Sequence, residues 1–477
     1  MQQPWRIAVV GGGIAGLAAA MRLRDRAPAG TRITVYEQSD ELGGKLRTGE
    51  FAGLPVERGA EAFLMRDPAG GDSAAVALAR RVGLGDQLRH PAVGQAALAR
   101  GGQFVPLPAG TLIGVPGDLA TAAGVARAEP ERDADQGRPL LQPDEDVAVG
   151  ELVRRRLGDE VVEQLVDPML GGVYAGRADT LSLATTIPGL ATAARTEHTL
   201  VAAVRAALAA RPPAAAGAPV FATVDGGLSR LVAAVRDVLS AADGAAEVRL
   251  RTSAVVRELA ASAAGWRLTV GPTRGAERVD VDAVVLAVPA RPAARLLAAV
   301  DAAAAVRVGA LEYASIALVT LAVPQPQLPE ISGFLVPATE RTMTKAVTLF
   351  STKWTQLRRS DGLAVVRASV GRHGDERLLQ RSDDELVDAV RAELTWLTGV
   401  RQPAAVQSHV QRWGGALPQY PPGHLSRVAA ARRSLRAAGR RLALAGAAYD
   451  GIGIPVCVRS GENAADEILT NLEGVRR

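Results

Sequence analysis

Arg6-Ile7-Ala8-Val9-Val10-Gly11-Gly12-Gly13-Ile14-Ala15-Gly16 is the stretch on which the fold turns. Its first half is a β-branched apolar run, which predicts a buried strand over residues 6–10. Its second half places glycines at 11, 13 and 16, and the Ala-rich text beyond them predicts a helix over 14–27. Each glycine has its own reason in a strand–turn–helix that binds a dinucleotide. The first permits the tight turn, the second lets backbone approach a pyrophosphate, and the third lets helix and strand pack closely, with phosphate at the helix N-terminus. Arg32-Ile33-Thr34-Val35-Tyr36 predicts the next strand, and Glu37 ends it 21 residues after Gly16, with Gln38 beside it. A carboxylate there accepts hydrogen bonds from ribose hydroxyls and disfavours a 2′-phosphate.

Working outward, Leu42-Gly43-Gly44-Lys45-Leu46-Arg47-Thr48 can wrap a second run of backbone donors around a diphosphate, an element that plain NAD-binding domains lack. Glu57-Arg58-Gly59-Ala60-Glu61-Ala62-Phe63 leaves Gly59 free of a side chain where a flat ring could pass. At the far end, Leu444-Ala445-Gly446-Ala447-Ala448-Tyr449-Asp450-Gly451-Ile452-Gly453-Ile454-Pro455 leads into Ser460-Gly461-Glu462-Asn463. This predicts a strand, a glycine-rich turn and a helix. The amides at that helix start would face a negatively polarised group such as a reduced isoalloxazine. Both ends of one chain meeting on one cofactor implies a nucleotide-binding lobe built from separated pieces.

Bulk properties exclude other classes. The chain has 477 residues, 48% hydrophobic and 22% charged, which suits a globular protein of two or three lobes. A formal charge of +5 is spread along the chain with no basic tract, so no nucleic-acid partner is expected. A single cysteine, Cys457, suits a reducing cytoplasm, and five dispersed histidines give no metal-ligand spacing, so no metal is expected. No stretch approaches the roughly 20 apolar residues that span a bilayer. Between the two ends, helices are predicted over 73–88, 146–158, 196–211, 228–240, 383–397 and 458–473, with a polar surface loop over 116–147 and a linker over 212–219. Strands are predicted at 95–107 (a pair), 247–251, 266–270, 282–288, 313–323, 333–337, 345–351, 363–370 and 441–446. The fold class is therefore α/β (α+β), a Rossmann-type dinucleotide fold assembled from discontinuous segments. Residues 1–70, 218–290 and 436–477 form the cofactor lobe. A largely helical insertion spans 71–217, and a mixed-sheet substrate domain spans 291–435.

The middle segments carry a narrower signal: Val166-Asp167-Pro168-Met169-Leu170-Gly171-Gly172-Val173-Tyr174-Ala175-Gly176, Asp225-Gly226-Gly227-Leu228, Gly333-Phe334-Leu335-Val336-Pro337, Phe350-Ser351-Thr352-Lys353-Trp354, and Arg412-Trp413 with Leu417-Pro418-Gln419-Tyr420. With the two ends, these make the chain resemble the porphyrinogen oxidases of heme synthesis. More narrowly it resembles the soluble, oxygen-dependent coproporphyrinogen III oxidases of Gram-positive bacteria. The resemblance implies non-covalent FAD, a porphyrinogen substrate, molecular oxygen as acceptor, and a place beside a heme-pathway partner enzyme. It implies that Gly11 to Gly16, Glu37, Gln38, Gly44, Lys45, Gly59, Ala60, Glu61 and Ala62 line the FAD. It implies too that Val256 contacts the adenine side through its backbone. Trp413, Gly446, Ile452, Gly453 and Ile454 belong with the isoalloxazine end. By the same resemblance, Gly172, Leu335 and Leu349 are expected to contact the tetrapyrrole. No catalytic acid or base is implied, because flavin N5 takes the hydride from a meso carbon. Some relatives place a propionate-binding arginine where this chain has Ala96. Arg100 is offset, and Arg47, Lys345 and Arg367 are the alternative cations. Protoporphyrinogen IX is the alternative substrate. A flavin amine oxidase and a non-catalytic binding protein like the GDP-dissociation inhibitors are more distant readings.

Overall fold

The computed structural model describes residues 4–213, 217–242, 246–263, 265–324, 328–437 and 441–474; the middle of the expected linker, 214–216, lies outside the described residues. Apolar runs that are buried on both faces belong in parallel sheets. Arg6–Val10, Ala283–Leu286 and Leu442–Leu444 are such runs. With Arg32–Tyr36 and Glu247–Arg251 they form an all-parallel five-stranded sheet, in the order Glu247–Arg251, Arg32–Tyr36, Arg6–Val10, Ala283–Leu286, Leu442–Leu444. Its strands come from three stretches of the chain. The first and last stretches are joined where helix Ile14–Arg26 crosses helix Ile454–Gly474. A Cβ at Gly461 would lie 2.0 Å from the Ala15 carbonyl oxygen, so only glycine permits that approach. Ser460-Gly461 thus reports a helix crossing.

A second sheet has seven strands, in the order Gln407–Pro418, Tyr313–Pro324, Leu363–Val370, Thr344–Leu349, Gly333–Leu335, Ala96–Arg100, Gln103–Pro106. All neighbours are antiparallel except Gly333–Leu335 and Ala96–Arg100. The strand pair at 96–106 therefore extends this sheet and is not part of a helical insertion. The local hairpin is written in its own sequence, but its partner lies far along the chain, where no local pattern points to it. The helices that follow, including Val149–Leu157, Asp167–Tyr174, Pro188–Ala193 and Leu200–Ala209, close around a core of Leu152, Val153, Leu170, Leu190, Leu200 and Val204.

Other departures have local causes. The helix expected over 73–88 stops at Arg81, because Gly83 takes a left-handed conformation and a 3-10 turn at Gly85–Gln87 follows. Strand Gln407–Pro418 gave no apolar alternation because it is a sheet edge, half exposed along its length. Helix His424–Ala437, rich in arginine, was also not expected. No helix among the described residues is long and apolar enough to cross a membrane.

Candidate functional site

A long cleft opens at the carboxyl ends of the parallel strands, where doubly wound folds bind ligands. Of the residues singled out in the sequence, Gly11, Gly13, Ile14, Ala15, Gln38, Gly44, Lys45, Ala60, Ala62, Val256, Gly446, Ile452, Gly453 and Ile454 line it. Tyr36, Pro289, Tyr313, Ala416 and Cys457 also line it and were not anticipated. They lie on five separate chain segments, and no local spacing marks them.

Gly12, Gly16, Glu37, Gly59, Glu61 and Trp413 stand behind the wall and shape it. A Cβ at Gly16 would sit 1.9 Å from the Gly11 carbonyl oxygen, which is the close helix–strand packing its position demands. A Cβ at Gly13 would meet no protein atom within 4 Å, so this turn borders space left for a ligand. The second glycine turn seats against the first, with the Gly43 amide donating to the Gly12 carbonyl at 2.9 Å. Glu37 is buried, and its carboxylate accepts from the Gly12 amide at 2.7 Å and from the Ser39 amide and hydroxyl at 2.9 and 2.8 Å. It therefore fastens the first turn from below. Lys45 lines the cleft with no ion-pair partner among the described residues, and burial lowers its ammonium pKa. Glycine amides, an unpaired cation and the start of helix Ile454–Gly474 together fit a diphosphate and a flavin ring. The cradle fits FAD.

Gly59 proves to be glycine for a different reason from the one expected. A Cβ there would strike the Lys45 carbonyl oxygen at 2.1 Å, with the Trp413 ring next at 3.3 Å. The segment is held from outside. Trp413 Nε1 donates to the Arg58 carbonyl at 2.7 Å, and Arg367 Nη1 donates to the Glu57 and Gly59 carbonyls at 3.1 Å each. Glu61 points away from the cleft. Its carboxylate accepts from Lys353 Nζ at 2.7 Å, Arg367 Nη2 at 2.7 Å and Trp354 Nε1 at 3.0 Å. Burial alone would raise its pKa, but Lys353 and Arg367 outweigh that and hold it down at about 2. Glu57, which has hydrogen-bond donors but no ion pair among the described residues, is pushed up by burial to about 8. Two carboxyls four residues apart are thus shifted in opposite directions.

On the sheet face that bears Arg367, register also places Thr348, Ser369, Ala346 and Leu335. Gly172 meets this face: a Cβ there would lie 2.6 Å from Leu335 Cδ2. Leu349 is on the opposite face, 1% exposed in the core with Val347, Val366 and Leu386, and it reaches neither the cleft nor Gly172. In a strand one position decides the face, and the sequence could not say which way this leucine pointed. Of the alternative cations, Arg47 pairs with exposed Glu41 at 3.2 Å, and Arg100 donates to the Val125 carbonyl at 2.7 Å. Arg367 is committed to Glu61 and two carbonyls. Lys345 remains, buried beside Ser369.

Known proteins agree with this geometry. The family model for flavin containing amine oxidoreductases matches residues 14–469. A coproporphyrinogen III oxidase of Mycobacterium tuberculosis (strain H37Rv) is 39% identical over 475 residues, covering 98% of each chain. That of Bacillus subtilis is 28% identical over 487 residues, again 98% of each. A crystal structure from Exiguobacterium sp. 255-15, provisionally named a protoporphyrinogen oxidase, superposes with a TM-score of 0.82 at 30% identity, covering 99% of this chain and 100% of that one. Cyclohexylamine oxidase of Brevibacterium oxydans, at 17% identity and a TM-score of 0.66, shares the fold. The chain belongs to the flavin containing amine oxidoreductases and, within them, to the family of these coproporphyrinogen III oxidases.

Proposed function

We propose that this protein is an FAD-dependent oxidase that converts coproporphyrinogen III to coproporphyrin III, with molecular oxygen as acceptor, in heme biosynthesis. The observation that carries the reading is whole-length identity to coproporphyrinogen III oxidases, joined to a cleft whose glycine turns and unpaired Lys45 fit FAD.

In this reading Gly13, Gly44 and Lys45 hold the diphosphate, and Glu37 keeps the first turn in place beneath the ribose. Val256 lies at the adenine end. Ala60 and Ala62 form the wall along the ring, and Arg367, Trp413 and Glu61 hold that wall from behind. Gly172 and Leu335 form the substrate wall across from it. Bound FAD supplies a hydride acceptor that oxygen restores. The chain's own task is to orient a meso carbon and keep water out, which is why no acid–base pair needs to converge here. A heme-pathway enzyme would then take the porphyrin product.

The test is turnover by FAD-loaded protein of coproporphyrinogen III and, separately, protoporphyrinogen IX, with porphyrin fluorescence and oxygen uptake followed together. Faster oxidation of coproporphyrinogen III, with oxygen consumed in step, is expected. Faster oxidation of protoporphyrinogen IX would move the enzyme to that substrate, and inertness towards both would refute the reading.

A further inference from the structure

Lys345 is a buried cation with no anionic partner among the described residues. Its residue is 2% exposed, and its ammonium donates to Ser369 Oγ at 2.7 Å. No ion pair to a carboxylate engages it among the described residues. It occupies the extra position of a bulge, since Thr344 pairs with Val370 and Ala346 with Ser369. A bulge re-aims a side chain. Here it brings Lys345 to Ser369, on the face that carries Arg367, Ala346 and Leu335.

The neighbours sharpen the imbalance. Arg367 and Lys353 share Glu61, and Arg372 pairs with Asp167 at 3.4 Å and donates to the Val336 carbonyl at 3.0 Å. Among the described residues, Arg367, Lys353 and Arg372 thus have carboxylate partners in Glu61 and Asp167, and Lys345 has none. Arg372 also lies under helix Asp167–Tyr174, where a Cβ at Gly171 would meet its Nη1 at 2.3 Å, and the next residue, Gly172, touches Leu335. Lys345 is thus adjacent to the wall assigned to substrate. Burying an ammonium with a single neutral partner costs several kcal/mol. A fold keeps such a group where a ligand supplies the missing charge. Burial, with the like charges of Arg372 and Arg367 nearby, lowers its pKa to about 7.

We propose that Lys345 is a specificity-determining residue that takes one carboxylate of the substrate, beneath the Gly171–Gly172 turn of helix Asp167–Tyr174. The inference rests on the reading of a carboxylate-bearing tetrapyrrole as substrate. A charge-assisted contact in a buried site discriminates strongly between a carboxylate and its uncharged analogue.

The test is binding of coproporphyrin III and of its uncharged tetraamide to FAD-loaded wild type, Lys345→Met and Lys345→Arg, read by porphyrin fluorescence, with thermal stability measured alongside. The wild type should prefer the tetraacid. Lys345→Met should lose at least tenfold on the tetraacid and be unchanged on the tetraamide. Lys345→Arg should restore most of the preference. In turnover, Lys345→Met should raise KM with kcat little changed. Because the substitution removes an unpaired buried charge, Lys345→Met should melt no lower than the wild type, whereas a structural lysine would lower it. An unchanged acid-to-amide ratio in Lys345→Met would overturn the proposal, as would variants at 345 (Met, Gln and Arg) that all lose fold or FAD. A wild type that binds neither porphyrin would instead sink the substrate reading itself.

Discussion

Glu61→Gln tests whether the wall of the cleft is held by charge. Glu61 and Arg367 are each 10% exposed at the side chain, and Lys353 is 18% exposed, so solvent screens the cluster little. Removing one partner from a buried ion pair costs about 3–5 kcal/mol, because the remaining charge stays buried. The acid–base route gives a similar size. A carboxyl held at about 2 in place of 4.5 contributes about 3 kcal/mol at 1.36 kcal/mol per pH unit. The folded pKa is depressed, so this stability is complete above about 4.5 and is lost as pH falls through 2. With an unfolding entropy of about 2.1 cal/mol/K per residue over 477 residues, one degree of melting temperature is worth about 1 kcal/mol if the chain unfolds as one unit. Calorimetry of the FAD-loaded protein should therefore show Glu61→Gln melting about 3–5 °C below the wild type at pH 7. Its acid limb should be flatter, and the gap should narrow by pH 3. Adding Lys353→Met should recover part of the loss, since it removes one orphaned cation. A Glu61→Gln protein that melts within a degree of the wild type, or a double variant with no recovery, would refute the account of this cluster.

Gly16→Val should yield protein without bound FAD, seen as loss of the yellow absorbance, because its Cβ falls 1.9 Å from the Gly11 carbonyl oxygen. Glu57→Gln should behave in the opposite sense to Glu61→Gln. The Glu57 pKa is raised to about 8, so wild-type stability falls as pH rises from 4.5 towards 8. The variant should escape up to roughly 5 kcal/mol of that decline, read by denaturant melts at pH 5 and pH 8. Asp167→Asn should destabilise by about 2 kcal/mol, since Asp167 accepts from the Ala178 amide at 2.8 Å and is the carboxylate partner of Arg372. If it also weakens coproporphyrin III binding, the electrostatics of the substrate wall extend to the helical layer.

The two ends of this chain were legible because their function is a backbone function. Gly11, Gly13, Gly16, Gly44, Gly446 and Gly453 act by lacking a side chain or by offering an amide, and such requirements leave a spacing that can be read one residue at a time. The strand–turn–helix around Gly11, the strand ending at Glu37, and the turn before Ile454 are all local. Their meeting across the sheet follows from the cofactor they share. Tertiary structure decided what lies between, because a side chain's role there depends on direction and on partners far away. Leu335 and Leu349 are both leucines in strands, yet one touches Gly172 and the other is core, since the pleat turns successive residues to opposite faces. Arg367 and Lys345 are both cations in the same sheet, yet one is satisfied by Glu61 and two carbonyls while the other has only a serine. Charge is visible in a sequence. Whether a charge already has its counter-charge is a property of the folded chain, because burial and partnership are set by strands brought together from distant segments.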